Sequence, residues 1–238
     1  METLIDAGDV ELPATLDRPS GAVRGGLVVL HGAAEGRRSY FLYAHLGRLL
    51  ASIGVAVLRY DRRTRVDGAD VPLERQAEDA AAAITVLRQH IGEVPIGLWG
   101  LSQGAWAAPL AAAAHPRLVA FLVLVSSCGV SPAAQMRHGT AEQLRRHGHT
   151  ESDIAELRPL RSAVEDYHRG LLDHAAAQRV VDQYAAREWF RHAYIPRHLP
   201  QRAAFWRDMD FDPAPTFARV SCPVLAFYGD TDAWMPID

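Results

Sequence analysis

The stretch of this sequence with the clearest chemistry is Gly100-Leu101-Ser102-Gln103-Gly104, which matches the pattern G-x-S-x-G. It follows a buried-strand pattern, Ile96–Trp99, and opens an alanine-rich helix pattern, Ser102–Ala114. A serine in this context stands on a tight, strained turn with its Oγ clear of the backbone, and the glycines avoid crowding the turn. We therefore predict that Ser102 is the nucleophile of an acyl-transfer reaction. The alternative is a helix-capping serine in a glycine-rich turn.

A second stretch, His31-Gly32-Ala33-Ala34, directly follows the apolar run LVVL. Acyl transfer develops negative charge on the carbonyl oxygen of the substrate, and two fixed N–H donors stabilise that charge. We expect one donor from the backbone of Gln103 and one from Ala33, or less favourably Ala34. His31 itself is expected to organise the loop rather than to act as a base.

A third stretch, Gly229-Asp230-Thr231-Asp232, follows the apolar run VLAFY, and Pro236 comes four residues after the second aspartate. A carboxylate at the end of a strand can orient a histidine and stabilise its imidazolium form. We predict that Asp232 is this acid, with Asp230 as the second choice. The alternative is a solvated turn built from Asp and Gly.

Together, these stretches resemble bacterial α/β-hydrolase esterases, nearest to the group of carboxylesterases related to dienelactone hydrolases, acyl-CoA thioester hydrolases and prolyl-oligopeptidase catalytic domains. The resemblance covers about residues 8–130 and 210–238. In that family, G-x-S-x-G supplies the nucleophile, G-x-x-D-x-x-x-P supplies the acid, and the HG loop with the residue after the serine supplies the oxyanion hole. The resemblance therefore implies these roles for Ser102, Asp232, Ala33 and Gln103. Ala105 departs from the family, which often has a second glycine there.

The family's catalytic histidine follows the acid, whereas the last histidine of this sequence is His198. The preferred hypothesis is a C-terminally truncated hydrolase whose histidine lies beyond residue 238. The 238-residue fragment would then be inactive, the last strand and helix of the fold would be missing, and the VLAFYG strand would be an exposed, aggregation-prone edge. Two alternatives are a cap histidine acting as base, His192 or His198, and a catalytically inactive scaffold that binds a small ligand or a partner.

Strand and helix patterns alternate along the chain, which predicts a mostly parallel α/β sheet with helices on both faces. Right-handed crossovers then place the loops after the strands at one edge, where ligands bind. A helix capped by Ser39 is expected to end at Gly54, and another is expected at Leu73–Gln89. Strands are predicted at Leu27–Leu30, Val55–Tyr60, Ile96–Trp99, Val119–Ser126 and Val224–Gly229.

The polar, Arg- and His-rich stretch 131–219 predicts a helical cap inserted into the core. Thr150 and Asp153 form a capping-box-like helix start, and Pro159 argues for a break in that helix. We therefore predict a core in two parts, 1–130 and 220–238, around a cap insertion, 131–219; the alternative is a separate small domain.

Aromatic residues of the cap either line an apolar acyl pocket or form the cap's own core, and for any single residue the second interpretation is slightly favoured. These residues are Tyr184, Trp189, Phe190, Tyr194, Phe205 and Trp206, with Trp234 after the acid.

Composition excludes several classes of function. The net charge is −3, which favours neither nucleic acid nor an anionic membrane as a partner. All 25 basic residues are Arg, so a Lys Schiff base and a P-loop Lys are excluded. Arg59, Arg62 and Arg63 could meet a carboxylate or a CoA phosphate, although such arginines more often hold loops through ion pairs.

We find no signal peptide and no membrane-spanning run, and we expect a cytoplasmic protein. No cofactor motif and no metal-ligand spacing is present, so neither a cofactor nor a metal is expected. The expected partner is a small-molecule ester or thioester substrate, and the oligomeric state is not indicated.

Overall fold

The computed structural model describes residues 1–34, 36–64, 70–201 and 207–236. The contacts of the chain group it into two compact units. The first, here called the core unit, comprises Met1–Thr64, Val71–Gly129 and Pro213–Asp230. The second, here called the helical unit, comprises Arg65–Asp70, Val130–Asp212 and Thr231–Asp238. The domains 1–130, 131–219 and 220–238 stay a prediction.

The core unit contains a seven-stranded sheet in the order β1-β2-β4-β3-β5-β6-β7. The strands β3 to β7 pair in parallel, and the pairs β1–β2 and β2–β4 are antiparallel. The predicted mostly parallel α/β sheet is therefore confirmed. The strands are β1 Glu2–Asp6, β2 Glu11–Asp17, β3 Gly25–Leu30, β4 Val55–Tyr60, β5 Ile96–Leu101, β6 Leu122–Val125 and β7 Val224–Phe227. The helices of this unit are α1 Phe41–Ser52, α2 Leu73–Ile91, α3 Gly104–Ala114 and, later in the chain, α7 Ala214–Phe217.

Strand β3 shows why a continuous apolar run predicted a buried strand. All six of its residues are buried, as expected when helices cover both faces of a sheet. On one face, Leu27 and Val29 pack with Tyr43 of α1. On the other face, a Cβ built on Gly26 would stand 2.9 Å from Leu87 and 2.7 Å from Ile91, both on α2. Helices therefore lie on both faces, as predicted.

The hairpin of β1 and β2 was not predicted. The burial of β2 alternates, with Leu12, Ala14 and Leu16 buried and the residues between them exposed or half-buried, which is the signature of a half-buried strand. Gly8 has a φ of +85° in the connecting turn, a conformation that favours glycine. The alternation of Leu12, Ala14 and Leu16 with other residues is present in the sequence, between the acidic residues Glu11 and Asp17.

Helix α1 differs from the prediction in its start. Tyr40 precedes it with no side-chain capping bond, so the predicted cap at Ser39 is wrong. Its buried residues are Tyr43 and Gly47, whereas Phe41 is 71% exposed. A Cβ on Gly47 would stand 2.0 Å from Asp17 Oδ2, so close packing on β2 sets the rotation of the helix. The predicted end at Gly54 is confirmed by a φ of +92°.

The helical unit contains three longer helices and two short 3₁₀ helices among its described residues. Thr150 forms the predicted capping box with Asp153. The predicted break at Pro159 is wrong, because α5 continues through it. The helix buries Leu157, Leu160, Val164 and Tyr167 in the core of the unit, and this burial outweighs one lost backbone hydrogen bond. The helices are α4 Pro132–Arg146, α5 Glu151–His168 and α6 His174–Tyr184, and the 3₁₀ helices are Glu188–His192 and Arg207–Asp210.

Across the described ranges, no helix combines the length and the apolar character needed to cross a membrane. Strand β7 is the outermost described strand on its side of the sheet, and its residues are exposed.

Candidate active site

The loops after the parallel strands of the core unit meet at one edge of the sheet, as the parallel arrangement requires. Ser102 directly follows β5, and its N–H donates to Val125 O of β6 at 2.9 Å. Ser126 directly follows β6, and its N–H donates to Phe227 O of β7 at 2.9 Å. The predicted nucleophile therefore lies at the edge where ligand sites form in sheets of this kind.

Ser102 occupies a strained turn. Its φ is +51°, in the left-handed region that non-glycine residues rarely adopt. A Cβ on Gly100 would stand 2.4 Å from Gly104 O, and a Cβ on Gly104 would stand 2.7 Å from Leu30 O. Both contacts are with backbone atoms, which cannot move aside as a flexible side chain can. The two glycines of the G-x-S-x-G pattern are therefore required by close backbone packing.

Helix α3 begins immediately after the turn. Ala105 N–H donates to Ser102 O at 2.8 Å, and Gln103 already has right-handed helical dihedral angles. Ser102 is half-buried at the N-terminal end of this helix. The positive end of the helix dipole stabilises negative charge at this position.

The His31–Ala34 loop lies against the same turn. Gly104 packs on the carbonyl groups of Leu30 and His31, and a Cβ on Gly32 would stand 3.7 Å from the Leu101 side chain. The N–H of Gly32 donates to the Tyr43 hydroxyl at 3.0 Å. The loop predicted to carry an oxyanion donor is thus beside the predicted nucleophile.

Arg62 links this loop to the turn. Its Nη2 donates to Ala33 O at 2.9 Å, and its Nη1 donates to the side-chain Oε1 of Gln103 and, at 3.5 Å, to Gly32 O. Its own N–H donates to Gly36 O at 2.7 Å. Sequence reasoning considered Arg62 only as an anion-binding or ion-pairing residue and missed this positioning role, because contacts to backbone carbonyls leave no mark in the sequence.

The other two arginines of this segment form ion pairs, the alternative that the sequence favoured. Arg59 bonds Asp17 with an N–O distance of 2.6 Å. Arg63 bonds Asp79 at 2.8 Å and Asp9 at 2.7 Å. Both arginines therefore hold strands and helices of the core unit together.

His31 is buried and neutral near pH 7. Burial lowers its pKa to about 4, and its Nε2 lies 2.6 Å from Tyr60 O. A carbonyl oxygen only accepts, so Nε2 carries the proton and donates. The ring also packs edge-on against Tyr43 and Tyr60. These contacts make His31 an organiser of the loop.

The two candidate acids fall in different units. Asp230 is exposed at the end of the core unit. Asp232 is half-buried in the helical unit, and its Oδ1 accepts the Trp234 N–H at 2.9 Å. Within that unit, Trp234 packs edge-on against Tyr194, with ring centroids 4.8 Å apart. The catalytic role of Asp232 stays a prediction.

The two histidines considered as a base both belong to the helical unit. His192 stacks on His147 with ring centroids 3.7 Å apart, and its Nε2 accepts from Arg191 Nε at 3.0 Å. Burial and then the charge of His147 lower the pKa of His192. His198 is exposed.

The aromatic residues of the helical unit mostly form its own core. Trp189 and Phe190 are buried there, and Tyr184 packs against them. Tyr194 is 58% exposed. Phe205 and Trp206 lie outside the described residues. The interpretation as a core is therefore supported for Tyr184, Trp189 and Phe190.

Comparison with known proteins identifies the family. A model of the alpha/beta hydrolase family matches residues 27–238. A proline iminopeptidase from Mycobacterium smegmatis has a similar structure, with a TM-score of 0.59 and 21% identity over 99% of this chain and 84% of that chain. The predicted resemblance is confirmed at the level of this family and its fold. No match is found among curated proteins.

Two further structures are similar over part of their length. A dienelactone hydrolase from Anabaena variabilis is 24% identical with a TM-score of 0.49, over 53% of this chain and 62% of that chain. A serine hydrolase without lid from Xanthomonas campestris is 20% identical with a TM-score of 0.47, over 54% and 62%. This chain therefore spans less than two thirds of either protein.

The buried His31 predicts a specific pH dependence of stability. Because the folded state holds this ring neutral, its contribution is complete above the usual pKa of 6.5 and is lost as the pH falls towards about 4. Relative to His31→Gln, the free energy of unfolding should fall by about 3 kcal/mol across that window. Urea denaturation of both proteins at a series of pH values measures the difference, and parallel profiles would contradict it.

The glycine packing predicts that Gly104→Ala lowers the free energy of unfolding by about 1–3 kcal/mol, because the new methyl group meets fixed backbone. Gly21→Ala is the matched control, since nothing lies within 4 Å of a Cβ at this exposed position. Urea denaturation should show a loss for Gly104→Ala only. Equal stability of the two variants would contradict the close packing at the turn.

Proposed function

The chain belongs to the alpha/beta hydrolase family, and we propose that it is a serine hydrolase that cleaves carboxylic ester or thioester bonds through an acyl-enzyme on Ser102. The observation that carries this proposal is the strained Ser102 turn between β5 and α3. Its φ of +51° is held by glycines that tolerate no side chain. Ser126 shares the left-handed conformation, so the proposal relies on the strain together with the glycine-flanked turn at the start of α3.

The proposed reaction has two steps. Ser102 Oγ attacks the carbonyl carbon of the substrate as its proton passes to a histidine, and the histidine gives that proton to the leaving oxygen or sulfur as the tetrahedral intermediate collapses and releases the alcohol or thiol. In the second step, the histidine takes a proton from the water that attacks the acyl carbon and returns it to Ser102 Oγ as the carboxylic acid leaves. We propose that Asp232 orients the histidine, to which we assign no residue number.

In both steps, we propose that the backbone N–H groups of Ala33 and Gln103 stabilise the oxyanion. Their support is positional: Gln103 follows Ser102 at the start of α3, and Arg62 bonds both Ala33 O and the Gln103 side chain. We also propose a small-molecule substrate and, from composition, a cytoplasmic location.

The proposal predicts that a protein containing this chain reacts with a fluorophosphonate probe at Ser102. Ser102→Ala should abolish labelling and lower hydrolysis of p-nitrophenyl acetate by at least about 1,000-fold. Ser126→Ala is the matched control, because Ser126 also follows a neighbouring strand with a φ of +50°. Labelling is detected by gel fluorescence and the modified residue by mass spectrometry.

Labelling that persists in Ser102→Ala would refute the assignment of the nucleophile. A folded protein that neither labels nor hydrolyses esters would favour a catalytically inactive scaffold that binds a small ligand or a partner.

The contacts of Arg62 predict a role in positioning the oxyanion donors. Arg62→Met should lower kcat by about 10- to 100-fold with little change in KM. Misplaced N–H donors stabilise the transition state less, whereas they affect the binding of the substrate little. Arg18→Met, at an exposed arginine of the core unit, is the control and should leave kcat unchanged. Steady-state kinetics separates the two constants. An unchanged kcat, or a change in KM alone, would contradict the positioning role.

A further inference from the structure

A cavity of about 690 Å³ opens within the helical unit, between α4 and α5. A volume of this size suits a small organic ligand. The lining is basic: α4 contributes Arg137, His138 and Arg145, and α5 contributes Arg158 and Arg161. The hydrolase chemistry proposed above uses none of these residues.

Arg161 is the most informative residue of this lining. It is only 7% exposed, and burial lowers its pKa to about 10, so it remains cationic at neutral pH. Within the described part of the chain, its Nη2 donates to Ala193 O at 2.9 Å, whereas its buried Nε has no hydrogen-bond partner. The lack of a partner at this buried Nε is a cost to the folded state, and a ligand in the cavity would meet other donors of the guanidinium.

The nearby carboxylates are engaged by other arginines. Glu165 accepts from Arg137 Nε at 3.0 Å and lies 3.5 Å from Arg169 Nη1. Arg145 pairs with Glu142 and Glu151. No carboxylate of the described residues forms an ion pair with Arg161. Glu165 attracts Arg161 through its charge but does not bond it, so the described carboxylates leave the hydrogen-bond donors of Arg161 unused.

The same cavity has apolar walls. Ile154 and Leu157 of α5 and Ala141 of α4 line it beside the arginines. Arg158 lies on the exposed side of the lining and forms no ion pair within the described ranges. A ligand that matches this lining combines an oxyanion with a short hydrocarbon body, because guanidinium groups bind carboxylates and phosphates through paired N–H donors.

We propose that the cavity between α4 and α5 is a binding site for a small amphipathic oxyanion, a carboxylate or phosphate monoester with a short apolar chain, held by Arg161 with Arg158. The alternative is that Arg161 only ties α5 to the backbone at Ala193. The two interpretations differ in whether an anion binds. The site does not depend on the nucleophile, so failure of one proposal leaves the other intact.

Isothermal titration calorimetry tests the site with hexanoate, hexyl phosphate and the neutral analogue 1-hexanol, on a protein that contains this chain. At least one anion should bind at concentrations up to about 10 mM, and 1-hexanol should bind at least about tenfold more weakly. The stronger of the two anions identifies the preferred head group. Absence of binding by both anions, or equal binding of 1-hexanol, would overturn the proposal.

Two substitutions locate the binding. Arg161→Gln should remove anion binding, with circular dichroism as the check on folding. Arg158 lies on the surface, so Arg158→Gln should leave the fold intact and weaken anion binding several-fold. This variant tests the site even if Arg161→Gln fails to fold. Arg179→Gln is the matched control, since Arg179 is an exposed arginine of α6 outside the cavity lining. Equal effects of Arg158→Gln and Arg179→Gln would overturn the assignment to this cavity.

Discussion

The candidate site of the core unit depends on one close approach, between the Gly104 backbone and the carbonyl groups at the end of β3. A methyl group at Gly104 would stand 2.7 Å from Leu30 O and 3.0 Å from His31 O. This approach fixes the start of α3 against the loop after β3, and the left-handed Ser102 is held between them. The strain at Ser102 persists because backbone atoms on both sides determine its conformation.

Elements that local sequence patterns encode were predictable, whereas contacts that depend on a residue distant in the sequence were not. The buried runs of β3, β4 and β5 and the glycines at 100 and 104 are local patterns, so the parallel core and the Ser102 turn could be predicted. The rotation of α1 could not, because it follows from packing of Gly47 on the ion pair of Asp17 with Arg59. Similarly, Pro159 read alone suggests a break, and only the buried face of α5 overrides it.

The segment after β4 shows the same limit for charged residues. Arg59 and Arg63 pair with carboxylates, whereas Arg62 bonds backbone carbonyls and one amide oxygen. The three residues have the same side chain and nearly the same position in the chain, so charge and spacing cannot predict which of them forms an ion pair and which bonds carbonyl groups. Their partners come from several other segments of the core unit, and only the folded arrangement of those segments decides which arginine meets which partner.

The contact of Arg62 with Gly32 bears on the electrostatics of the proposed oxyanion hole. Gly32 C=O and Ala33 N–H belong to one planar peptide group, in which the two bonds point in opposite directions. A cation 3.5 Å from Gly32 O therefore helps to orient the Ala33 N–H. It also polarises the peptide group and strengthens that N–H as a donor. Since burial keeps His31 neutral, Arg62 is the charged side chain that the structure shows bonded to this loop. A positive charge behind the loop, rather than a histidine within it, is thus the electrostatic contribution that this geometry supports.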